Sequence, residues 1–126
     1  MHFDVFGDKE VVIPALTDPE IGDNTHTRDP KVWKGSDAWY MVLGSTTKDH
    51  KGEALFYKSE DLSHWHLAGQ ATTKQKLGWM WECPDLFNVN GRSVFVFSPM
   101  ELIEDPDGYA DRAICMLPEF DEKPAQ

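Results

Sequence analysis

The sequence predicts an all-β fold, with about two four-stranded antiparallel blades of a β-propeller in its 126 residues. Three observations carry this reading. Apolar residues fall in short runs rich in aromatic and β-branched side chains, separated by turn-forming clusters. Nothing repeats at helical spacing over ten or more residues. Two stretches align with each other without a gap, Asp29 lying over Cys83 at an offset of 54 (83 minus 29).

The elements follow in order. Asp29-Pro30 opens the first unit, and a short strand runs through Val32 and Trp33 to the turn Lys34-Gly35-Ser36-Asp37. The strongly apolar Trp39-Tyr40-Met41-Val42-Leu43 is the second strand, ended by Asp49-His50-Lys51-Gly52. Residues 53–58 form the third, and after the turn Ser59-Glu60-Asp61-Leu62-Ser63, residues 65–69 form the fourth. Cys83-Pro84 opens the second unit in the same way. Asn88-Val89-Asn90-Gly91 is its turn, and Val94-Phe95-Val96-Phe97 its apolar strand. A four-stranded unit recurring at about 50 residues marks a propeller blade, and propellers close with about four to eight of them. About two blades therefore imply either a piece of a longer protein or several chains assembling together. The expected division is residues 1–24 as the end of a preceding blade, 25–75 as a complete blade and 76–126 as an incomplete one.

Composition narrows the function. Twelve Lys and Arg against 22 Asp and Glu give a net charge of −10 with no basic cluster, which argues against a nucleic-acid partner. No apolar run approaches the ~18 to 20 residues of a bilayer span, so no membrane partner is expected. The first residues show neither a basic nor an apolar segment, so no signal peptide is expected. Cys83 and Cys115 make no ligand spacing, and no metal or other cofactor is implied. His26, His50, His64 and His66 read as structural or surface residues. A bacterial cytoplasmic setting fits the missing leader and unpaired cysteines, with a secreted parent left open.

The chemistry concentrates in Arg28-Asp29-Pro30 and Glu82-Cys83-Pro84, at equivalent points of the repeat and just before the first strand of each unit. First strands of blades lie innermost, so Asp29 and Glu82 would meet in one pocket with Arg28 beside them. Paired carboxylates are the working groups of glycoside hydrolysis. Trp33, Trp79 and Trp81 offer flat faces on which a sugar ring can stack. The plainer alternatives are turn residues capping strands, and core aromatics.

His26-Thr27-Arg28-Asp29-Pro30-Lys31-Val32-Trp33 and Met80-Trp81-Glu82-Cys83-Pro84-Asp85-Leu86-Phe87 closely resemble two signature motifs of glycoside hydrolase family 32, the β-fructosidases. The resemblance covers roughly residues 25 to 100. It implies a five-bladed propeller and retaining cleavage of β-fructofuranosyl bonds in sucrose, sucrose 6-phosphate or fructans, through a covalent intermediate. It assigns Glu82 as general acid/base and Asp29 as transition-state stabiliser. Arg28, Trp81 and Cys83 would be substrate-binding, with Cys83 also tuning the acid.

The departures are as informative. The family takes its nucleophile from an Asn-Asp-Pro-Asn-Gly type motif, which does not occur here, and Thr27 stands where the family usually has Phe. This chain alone is therefore expected to be inactive and to associate with itself or with the rest of a propeller. Two other readings remain: a non-catalytic carbohydrate-binding or assembly module, and a related arabinanase- or xylosidase-type propeller.

Overall fold

The computed structural model describes residues 10–101 and 113–116. It is all-β there, with no helix among the described residues. Four strands form one antiparallel meander in the order β1-β2-β3-β4: β1 Arg28–Lys34, β2 Trp39–Thr46, β3 Gly52–Ser59 and β4 His66–Ala71. A second sheet, β5-β6-β7, comprises β5 Met80–Val89, β6 Arg92–Met100 and β7 Ile114–Met116. Residues 102–112 and 117–126, which the expected second blade includes, lie outside the described residues.

Alternation along the strands sorts the core into two layers. Val42 and Ala54 face the second sheet and pack with Trp81, Phe95 and Phe97. Met41, Leu43, Leu55 and Tyr57 face the other way, under Val12, Ile13, Leu16 and Ile21. Both faces of β2 and β3 are covered, which is why their sequences read as nearly continuous apolar runs. Residues 10–27 hold no strand; they run as an irregular cover across the first sheet.

The two sheets meet through Trp81. Its ring stacks on Phe97 at 4.0 Å between centroids, and its indole N–H donates to the Leu77 carbonyl at 2.7 Å. Glycine makes the approach possible: a Cβ on Gly44 would stand 1.8 Å from the Trp81 carbonyl oxygen, and one on Gly52 2.2 Å from its indole. The hairpin from β5 to β6 turns on Asn90 and Gly91, both at positive φ, with Val89 paired to Arg92.

One expectation is corrected. Arg28-Asp29-Pro30 and Glu82-Cys83-Pro84 do not precede the first strands but lie inside β1 and β5. Each strand carries one extra residue there: Arg28 and Lys31 pair with Gly44 and Val42, and Glu82 and Asp85 with Ser98 and Val96. A bulge leaves a backbone position outside the ladder, so Pro30 and Pro84 sit in strands without costing a hydrogen bond.

Candidate active site

The two bulges face each other where β1 touches β5. Asp29 and Cys83 occupy equivalent places in them and both take left-handed backbone conformations, with φ of 61° and 47°. Non-glycine residues at such angles cost on the order of 1–3 kcal/mol each and concentrate at functional sites.

Across this junction, equivalent positions of the repeat bond to one another. Arg28 Nη2 donates to Glu82 Oε1 at 2.9 Å, 54 residues away. The Cys83 amide donates to Asp29 Oδ2 at 3.0 Å, also 54 away, and the Cys83 thiol lies 3.6 Å from the same oxygen. Lys31 and Asp85 continue the series as an ion pair at 3.8 Å. The three rungs bring both carboxylates to one rim, with Arg28 and Glu82 each about one-third exposed (36% and 35%) and so open to a ligand.

Arg28 is held from several sides. His26 Nδ1 lies 3.3 Å from its Nη1, and the Met100 sulfur 3.7 Å from Nη2. Upstream, Asp23 Oδ1 accepts the amides of Thr25 and His26, each at 2.8 Å, and these bonds hold its carboxyl below the usual carboxylate range. Thr27 donates to the Asp23 carbonyl at 2.7 Å, and its hydroxyl lies 2.8 Å from Ser45 Oγ. The polar Thr27 thus ties the approach to β1 onto β2.

The residues expected at the site fare differently. Arg28, Asp29, Glu82 and Cys83 come together. Cys83 addresses Asp29 rather than Glu82, and burial, then the Asp29 charge, raises its thiol above the ordinary value. Trp81 does not serve as a sugar platform: it is 1% exposed, in the core between the sheets. Trp33 stacks on Tyr40 at 5.8 Å and packs against the same core. Trp79 lies between His50, parallel at 4.7 Å, and His26, edge-on at 5.0 Å. Sequence reasoning overlooked His26, Met100 and the Lys31–Asp85 pair as neighbours of the carboxylates. The gapless alignment held a signal for the last, since Lys31 lies over Asp85 with opposite charge.

Comparison with known proteins places the chain in a family. Residues 1–123 match the Glycosyl hydrolases family 32 N-terminal domain. The sucrose-6-phosphate hydrolase of Bacillus subtilis is 40% identical over 107 residues, covering 81% of this chain and 21% of that protein. That of Vibrio alginolyticus is 52% identical over 75 residues, 59% of this chain and 16% of the relative. Among solved structures, a Bombyx mori GH32 beta-fructofuranosidase, determined in complex with sucrose, superposes with a TM-score of 0.65 at 36% identity, over 79% of this chain and 22% of its own. A sucrose-6-phosphate hydrolase from Lactobacillus gasseri gives 0.62 at 33%, over 75% and 20%. The chain spans about a fifth of the length of such relatives. With the family's N-terminal domain matched along nearly all of it, the chain belongs to glycoside hydrolase family 32.

Proposed function

We propose that this chain supplies Glu82 as general acid/base and Asp29 as transition-state stabiliser to a retaining hydrolase of β-fructofuranosyl bonds. The observation that carries the reading is the set of rungs across the bulges, which places Glu82 and Asp29 on one rim with Arg28 orienting Glu82. Glu82 would protonate the departing oxygen and then take a proton from water, while Asp29 would hold fructosyl hydroxyls as the ring gains positive charge. The names of the relatives favour sucrose or sucrose 6-phosphate over fructans. The nucleophile would come from another part of a longer protein. The two free cysteines suit a reducing, cytoplasmic setting.

The reading is tested by fructose release from sucrose and sucrose 6-phosphate. The 126-residue chain should release none, because proton donation alone is worth only ~10²- to 10⁴-fold. In a full-length protein carrying this stretch, Glu82→Gln should lower kcat by a similar factor with a smaller change in KM. Robust hydrolysis by the short chain, lost in Asp29→Asn, would make Asp29 the nucleophile and overturn the assignment. Sugar binding without turnover in the full-length protein would point instead to a binding module.

A further inference from the structure

Away from the carboxylate rim, Glu53 stands on β3 opposite Ser45 of β2, only 4% exposed, and its Oε1 has no hydrogen-bond partner. The irregular cover lies directly over this spot. A Cβ on Gly22 would come within 2.8 Å of Ser45 Oγ and 3.0 Å of Leu55. Gln70 of β4 gives both amide hydrogens to the cover, to the carbonyls of Glu20 (3.0 Å) and Ile21 (2.8 Å). Ser45 Oγ accepts the Asp23 amide at 3.4 Å and meets the Thr27 hydroxyl, whose own proton goes to the Asp23 carbonyl.

These bonds compete with a Glu53 carboxylate for the same donors, Ser45 and Gln70, and leave its Oε1 with none. A hydroxyl has one hydrogen and an amide two, and those of Ser45 and Gln70 are already committed to Thr27 and the cover. A neutral carboxylic acid needs only an acceptor, which Ser45 Oγ or the Gln70 carbonyl can provide. No cation compensates either. On the cover, Glu10, Asp18, Glu20 and Asp23 are acidic, Lys48 pairs with Glu20, and the rings of His26 and His50 pack on Trp79, His26 also meeting Arg28. On β1, Arg28 is bound to Glu82; on β3, Lys58 is bound to Asp37. Lys51, just before β3, reaches the Lys74 carbonyl, and His66 lies at the far end of β4, opposite Lys58. The facing side chains of β2 and β4 are neutral.

We propose that Glu53 is a proton-operated latch: neutral, it lets residues 20–27 lie bonded on the sheet, and ionised, it draws Ser45 and Gln70 away from them, so that it positions Arg28 and Asp29 from behind. In keeping with this, burial pushes the Glu53 carboxyl up to about 7, only partly offset by Gln70 and Ser45. The folded chain then keeps a proton that the unfolded chain releases. Its contribution to stability is full at low pH, falls between the ordinary 4.5 and about 7, and stays level above. Across that window the folding constant should drop by about two orders of magnitude.

The test uses the 126-residue chain and does not depend on any hydrolase activity. Carboxyl-carbon NMR should show Glu53 titrating near neutrality. Amide exchange over residues 20–28, corrected for its intrinsic pH dependence, should speed up between pH 6 and 8 in the wild type. Glu53→Gln, neutral and of the same shape, should abolish that increase. A Glu53 titration in the ordinary glutamate range would overturn the proposal, as would an unchanged exchange profile in Glu53→Gln. If that variant does not fold, the wild-type exchange profile decides: no acceleration over residues 20–28 between pH 6 and 8 overturns the proposal.

Discussion

Trp81 and Glu82 are neighbours in one strand with opposite fates. Successive side chains of a strand point to opposite faces, so Trp81 enters the core as Glu82 turns to the rim. Because Trp81 is wedged between Gly44, Gly52 and Phe97, its removal opens a cavity at the junction of the sheets. Trp81→Ala should cost about 3–5 kcal/mol in chemical denaturation, the range for large aromatics lost from a core. A loss within about 1 kcal/mol would mean that the sheets do not depend on this contact. At the same scale, Thr27 departs from the residue usual in the family, and its hydroxyl explains itself by bonding Asp23 and Ser45.

Among elements, the bulges do most to shape the site. They re-aim β1 and β5 so that positions 28, 29 and 31 reach 82, 83 and 85, and they let proline sit within a strand. Two glycines separate close packing from backbone freedom. Gly44 has an ordinary φ but no room, since a Cβ would collide with the backbone of β5; Gly44→Ala should destabilise by about 1–3 kcal/mol or more. Gly91 has open space but a φ of +78°, so Gly91→Ala should cost only about 1 kcal/mol of turn strain. Thermal melts of the two variants should rank them in that order; the reverse ranking would count against the close approach of β5 to β2.

For the whole molecule, two sheets packed face to face leave apolar residues and strand edges uncovered. Val32, Phe87 and Val89 are exposed, and β1, β4 and β5 each pair on one side only among the described residues. The chain is therefore expected to associate with copies of itself or with the remaining blades. Light scattering at micromolar concentration should show more than the monomer mass, and a monodisperse monomer would count against it.

The sequence alone determined the strand pattern, the 54-residue repeat and the family, because alternation, turn chemistry and motif spacing are local properties. Residues 39–43 and 94–97 can be read as strands from their composition, and Asn90-Gly91 as a turn, without knowing their neighbours. It also singled out Arg28, Asp29, Glu82 and Cys83, since two motifs at equivalent points of a repeat imply proximity. Only the tertiary structure decided which way each side chain points and what it meets. A bulge is one extra residue that no composition announces, and it brought both motifs from before the strands into them. Trp81 became core rather than platform because two glycines far away in sequence make room for it. Glu53, polar and unremarked in its strand, is buried because residues 18–23 fold over it, and that cover comes from a stretch with no periodicity to read.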